Sequence, residues 1–266
     1  MNQSQVTPGL DLVIITGAGR GIGRSIAMDM AKTGAEVLCI SQSSNSTRTA
    51  HDIRTAGGRA ESLVLDLADY AAVELKLSDW LSSREYARIG VILAAAVLGP
   101  AGEMSSTALS EWDLTFRINV LGNLAVVRAA LPHQLENRFG RILFFAGGGA
   151  AYAYPIFPAY AASKSSLVRI VENLHEDLHD KGDFATAILA PGAVETDTLS
   201  VVRANGGYVR TTVGIEEPTA FAKAFITSTS CGFSGCFVHV RDTWTKHLNN
   251  DQALTQKDLW KLRRVE

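Results

Sequence analysis

Cysteine is scarce in this chain: Cys39, Cys231 and Cys236 are the only three in 266 residues. Disulfide scaffolds are small, secreted and dense in evenly numbered cysteines, so that class is excluded, and a reducing, cytoplasmic compartment is expected. Cys231 and Cys236 flank "GFSG" with no second Cys or His pair, and His175, His179, His239 and His247 show no metal-site spacing with carboxylates. No metal is expected. An excess of one charge is also missing. Twenty-five basic residues stand against 27 acidic ones, a net charge of −2, and Lys and Arg are scattered. That leaves no nucleic-acid footprint and no membrane-surface patch. Runs such as "DLVIIT" and "AVVRAALP" are too short or too interrupted to span a bilayer, and "MNQSQVTPGLD" lacks the basic and apolar regions of a secretory signal. There is no internal repeat, no low-complexity segment and no Pro/Ser-rich linker.

What the chain does have is apolar content, 47% of residues, arranged in a regular alternation. Strand-like runs occur at 11–16, 36–41, 60–65, 89–96, 140–146, 184–190 and 235–240. Amphipathic stretches lie between them, among them 22–32, 69–82, 111–135 and 159–181. Strands apolar on both faces and separated by helices indicate a parallel sheet covered on both sides. The expected fold is one doubly wound, Rossmann-type α/β domain over residues 1–266, with a seven-stranded, mostly parallel sheet. The least regular region, 195–217, follows a late strand and is a candidate substrate lid, or an ordinary surface loop with a short helix. A tail at 241–266 carries Trp244 and Trp260. It could cover the substrate opening or a second subunit, or form a final helix on the core.

"VIITGAGRGIGRSIA" places Gly17, Gly19, Gly21 and Gly23 between the first strand and first helix. Glycines let the chain turn sharply and let a pyrophosphate approach the helix N-terminus, whose N–H groups and dipole favour an anion. Tight strand-to-helix turns use glycine too, but this one has the context a dinucleotide site demands. At the end of the second strand an acid would hydrogen-bond a ribose 2′-hydroxyl and repel a 2′-phosphate. Ser41, Gln42 and Ser43 stand there instead, and Arg20 in the glycine turn could meet a phosphate. NADP is therefore expected over NAD, with NAD still possible.

Tyr160 and Lys164 lie four residues apart in a helical segment and so share a face. A phenol with a pKa of about 10 is a poor proton carrier near neutrality. A neighbouring ammonium favours the phenolate and is expected to pull that value down.

With these motifs in order, "TGAGRGIG" (16–23), "LDL" with Asp66, "FRINVLGN" with Asn119, "YAASK" (160–164) and "PGAVET" (191–196), the chain resembles the short-chain dehydrogenase/reductase family over nearly its whole length. The resemblance implies Tyr160 as the acid/base, Lys164 as its electrostatic partner and Asn119 as holder of a water in a proton relay. It implies cofactor contacts from Gly17, Arg20, Gly21, Ile22, Gly23, Ser41, Gln42, Asp66, Leu67 and Ala94, with Pro191, Gly192, Val194 and Thr196 lining the nicotinamide. It also implies a homodimer or homotetramer.

Two departures stand out. Leu93-Ala94-Ala95-Ala96 replaces the family's Asn-Asn-Ala-Gly, so the local polar network must differ. Thirteen residues before Tyr160, where the family carries a serine, this chain has Gly147. Such donors contribute about 2.7–4 kcal/mol in a transition state. Backbone N–H groups of Gly147, Gly148 or Gly149, hydroxyls of a bulky substrate, or Tyr152 or Tyr154 could make good the loss. The expected function is an NADP(H)-dependent oxidoreductase interconverting a ketone and a secondary alcohol. The alternatives are a catalytically weakened nucleotide-binding sensor or assembly subunit, and an epimerase or dehydratase using bound nicotinamide.

Overall fold

The computed structural model describes residues 9–209, 211–249 and 259–263. Seven strands form one sheet: β1 (Leu12–Thr16), β2 (Glu36–Ser41), β3 (Arg59–Val64), β4 (Ile89–Leu93), β5 (Phe139–Phe145), β6 (Asp183–Ala190) and β9 (Cys236–His239). Their order is β3-β2-β1-β4-β5-β6-β9 and every pairing is parallel. Two short strands, β7 (Ala193–Val194) and β8 (Thr212–Val213), pair separately. Because β1 has β2 on one side and β4 on the other, the strand order reverses at β1, and a crevice opens at the carboxyl ends of β1 and β4.

Every residue of β1, β4 and β5 is buried, as a sheet covered on both faces requires. Alternate residues serve opposite faces. Leu12 and Ile14 join Val73 and Leu77 of α3 (Tyr70–Ser82), Val126 of α5 (Asn123–Glu136) and Leu167 of α6 (Pro158–Leu178). Val13 and Ile15 join Ile26 of α1 (Gly21–Met30), Ile53 of α2 (Asn45–Thr55) and Phe221 and Phe225 of α8 (Glu216–Ile226).

Several boundaries shift from the sequence reading. The fourth strand stops at Leu93, and 94–96 leave it as a loop. The helix expected at 111–135 is α4 (Leu109–Phe116), a π segment (Arg117–Gly122) and α5 in unbroken succession. By length and composition this continuous helix passes for a membrane span, with a mean hydropathy of 1.3, yet 56% of that window is buried inside the protein. The region 195–217 is more ordered than expected, holding α7 (Asp197–Ala204) and β8.

In the tail, 250–258 lie outside the described residues, and 259–263 are not helical. Trp244 packs edge-on against Phe221 at 4.9 Å and Trp260 against Phe233 at 6.1 Å, so both tryptophans close the core behind β9. The segment is tied down by Phe237 N–H donating to Trp260 O at 2.7 Å, by Arg169 Nη2 donating to Leu262 O at 2.9 Å and by the ion pair of Arg263 with the buried Glu172. Glu172 is held below the usual carboxylate range, chiefly by the Arg263 hydrogen bond.

Candidate active site

The glycine turn follows β1 as expected. Gly17 has φ +69°, and a β-carbon there would lie 2.9 Å from Ala95 N and 3.0 Å from Ala94 C, so only glycine seats the turn against the loop after β4. Helix α1 begins with no side-chain cap, leaving its first-turn N–H groups directed at the crevice. Ile22 and Gly23 continue into that helix, and Gly21 faces the methyl of Thr196, its virtual β-carbon 3.4 Å away. This cradle of bare backbone donors fits a dinucleotide pyrophosphate. Arg20 pairs with Asp197 at the start of α7, at 2.8 Å, both side chains largely exposed. Gln42 donates to Asp66 at 3.1 Å, and Asp66 also accepts from Ala68 N–H. A cavity of about 380 Å³ lies here, lined by Asp66, Ala68, Tyr70 and Arg117, with the buried Leu67 beside it in sequence.

The loop after β4 is held by side chains from two helices and a strand end. Thr16 Oγ1 donates to Asn123 Oδ1 at 2.9 Å and accepts from Ala95 N–H at 3.1 Å, while Asn123 Nδ2 donates to Ala95 O at 3.1 Å. Asn119 spans Val97 in the same manner, accepting from its N–H at 2.8 Å and donating to its carbonyl at 2.9 Å. Its amide also donates to Ser163 Oγ, which donates to Tyr160 O. The side chain of Asn119 is thus a brace between this loop and the first turns of α6. The Asn119 main-chain carbonyl accepts from Asn123 Nδ2. Thr16, Asn123 and Ser163 were not singled out from the sequence. "FRINVLGN" contains Asn123, and a second amide one helical turn after Asn119 was the available signal.

Tyr160 and Lys164 stand on one face of α6, Nζ 5.7 Å from the Tyr160 ring centroid. Lys164 is buried at 1% exposure and donates to Phe145 O at 2.7 Å. The expected lowering of the phenol by the ammonium is overturned. Burial pushes the Lys164 ammonium down to about 7, while burial, reinforced by Tyr154, pushes the Tyr160 phenol up to about 12. Desolvation is the leading cause for both groups.

Gly147 is extended, at φ −164° and ψ 172°. A β-carbon there would lie 2.4 Å from Tyr160 Oη and 3.0 Å from its Cζ. The tyrosine's tip occupies the place a side chain at 147 would take. Gly149 meets α6 as closely, its virtual β-carbon 2.9 Å from Ala161 Cβ and 3.2 Å from Tyr154 Cβ. Tyr152, by contrast, is 80% exposed.

Pro191 and Gly192 follow β6, and Val194 is buried in β7, its carbonyl accepting from Thr196 Oγ1 at 3.2 Å. A small apolar cluster apart from the two main faces collects Phe157, Leu199 and Val202 with Leu98, Tyr154, Ile156 and Tyr160. It packs α7 over the tyrosine. Beside it, Ala101, Gly102, Glu103, Pro155, Ile156 and Asn205 line a second cavity of about 320 Å³.

This geometry can hold a dinucleotide along β1 and α1 and present its far end to Tyr160. A family model for short chain dehydrogenases matches residues 11–206. The chain belongs to the short-chain dehydrogenase/reductase family. Members of that family are NAD(P)-dependent oxidoreductases. Versicolorin reductase of Emericella nidulans is 32% identical over 196 residues, 72% of this chain and 72% of that protein. Trihydroxynaphthalene reductase of Colletotrichum orbiculare is 30% identical over 190 residues, 70% of this chain and 65% of that one. The matched stretches span 60–65% of the length of several curated relatives. Among solved structures, a 3-oxoacyl (acyl-carrier-protein) reductase of Agrobacterium tumefaciens with NADP bound superposes with a TM-score of 0.77 at 21% identity, covering 90% of this chain and 98% of that one. At that identity the likeness speaks to the fold alone.

Proposed function

We propose that the chain is an NADPH-dependent reductase of cyclic ketones, with Tyr160 as the proton donor. The observation that carries this reading is the Tyr160 phenol, its tip over Gly147 at the carboxyl end of β5 and its ring one helical turn from the buried Lys164. A protonated phenol is in the state that reduction needs. When bound, the nicotinamide supplies the hydride to the carbonyl carbon. Tyr160 gives its proton to the carbonyl oxygen, completing the secondary alcohol. Lys164, anchored on Phe145 O with two N–H groups left and a pKa near neutrality, returns a proton to the phenolate and offers a donor to the nicotinamide ribose. Asn119 and Ser163 hold the backbone of Tyr160 in place.

NADP is favoured over NAD by the absence of an acid at the end of β2, where Ser41 Oγ is spent on Ser43 O and Ser46 N–H. The Arg20–Asp197 pair is exposed and contributes little to stability, so Arg20 can leave it for a phosphate. Helix α7, with Leu199 and Val202 over Phe157, serves as the lid. The apolar chamber and the relatives named for versicolorin and trihydroxynaphthalene favour a ring ketone. Leu109, Leu114 and Leu121 are exposed along the continuous helix and suit a second copy packing there.

The test is NADPH oxidation with a panel of cyclic and aromatic ketones including 2-tetralone, for the wild type and Tyr160→Phe. Turnover that Tyr160→Phe abolishes, with NADPH binding intact, supports the reductase. Tight NADPH binding without turnover would favour the sensor, the reading to which the missing hydroxyl at Gly147 lends weight.

A further inference from the structure

The site lacks a side-chain hydroxyl at position 147 to serve the substrate oxygen; beside the backbone N–H groups of Gly147, Gly148 and Gly149, two nearby tyrosines are candidate side-chain donors. Position 147 carries no side chain to provide it, and a β-carbon there would lie 2.4 Å from Tyr160 Oη. Tyr152 is exposed and stands outside the apolar cluster around Tyr160. Tyr154 is inside that cluster. Its ring packs on Phe157 at 5.8 Å, and its Cβ is seated against Gly149, which is small enough to admit it. The next two residues, Pro155 and Ile156, line the cavity of about 320 Å³. Its hydroxyl has no hydrogen-bond partner among the described residues, although the ring is half-buried. A phenol so placed is open to solvent, and its donor is available to a ligand that displaces water. Building on the reductase reading above, we propose that Tyr154 donates its hydroxyl hydrogen bond to the substrate's carbonyl oxygen, the task that the family assigns to a serine.

Two further facts agree with this. Burial raises the Tyr154 phenol, so it stays a neutral donor, and the two phenols lie close enough that ionisation of one opposes ionisation of the other. Tyr154 transfers no proton and forms no bond; it stabilises the negative charge that builds on the oxygen before Tyr160 protonates it.

The test is Tyr154→Phe, which keeps the ring and removes the hydroxyl. The readouts are kcat and KM for 2-tetralone and the other ring ketones, NADPH affinity by fluorescence, and Tm. The expected result is a fall in kcat of about 10²-fold, on the scale of a lost oxyanion donor, with KM, NADPH affinity and Tm nearly unchanged. Tyr152→Phe, the control from the same loop, leaves all four unchanged. Should Tyr154→Phe melt early, NADPH titration counts the folded sites and kcat is expressed per site. An unchanged kcat in Tyr154→Phe, with Tyr160→Phe inactive, overturns the role of Tyr154 and leaves the reductase standing. Full activity in Tyr160→Phe, or no turnover by the wild type on any ketone, overturns the reductase reading and this inference with it.

Discussion

Gly147→Ser places a hydroxyl where the sequence resemblance leads one to expect it, and the intuitive outcome is a faster enzyme. The packing argues for the opposite. The new β-carbon would stand 2.4 Å from Tyr160 Oη and 3.0 Å from both Cε1 and Cζ. Carbon contacts settle near 3.5 Å, so the tip of the ring must retreat by about 1 Å. The backbone contributes nothing to the cost, since φ −164° is extended and open to any residue. Over-packing of this kind costs about 1–3 kcal/mol of stability. A reacting group displaced by about 1 Å costs on the order of 10²-fold in rate. Gly147→Ala separates sterics from chemistry, because it brings the same β-carbon without the hydroxyl. Both variants are expected to lose about 1–3 kcal/mol in urea denaturation, and both to turn over ketones at least about tenfold more slowly, with NADPH affinity retained. A serine variant that matches or exceeds the wild type while alanine does not would refute the reasoning. It would mean that Tyr160 yields freely and that the hydroxyl, rather than the room, decides the rate.

Two other perturbations read the site's energetics directly. Lys164 has a folded-state pKa of about 7 against an ordinary value of 10.5, so between these limits the unfolded chain binds the extra proton and stability rises with pH. Tyr160 acts in the other direction only above its ordinary value of 10.0, as its folded-state pKa is about 12. Urea denaturation of the cofactor-free protein at pH of about 7 and about 9.5 should show that rise in the wild type and lose it in Lys164→Met; an equal rise in both would place the titration elsewhere. Asn123→Ala strands the buried Thr16 hydroxyl and frees Ala95, at an expected cost of about 1–3 kcal/mol. A double-mutant cycle with Thr16→Val should return a coupling of about 0.5–3 kcal/mol, and additive losses would show that the two residues do not act as one clasp.

The sequence by itself determined the architecture and the neighbourhood of the chemistry. Strands such as "LVIIT" and "ILFF", apolar on both faces, fit a doubly covered parallel sheet, and the glycines after the first of them sit in the strand-to-helix context that a dinucleotide site demands. The spacing of Tyr160 and Lys164 put them on one helical face, because that relation is fixed within one turn of backbone. What lay beyond its reach was set by residues far apart in the chain. The Thr16–Asn123 clasp joins positions 107 apart, and the Arg20–Asp197 pair joins positions 177 apart. No local periodicity carries such contacts. The signs of the two central pKa shifts were decided in the same way. Spacing alone suggested attraction between ammonium and phenol, but both groups are closed in by strands and helices drawn from across the chain, and the loss of water is the leading cause of both shifts. The glycine at 147 looked in the sequence like a missing hydroxyl. Only the packed structure turns it into the space that Tyr160 fills.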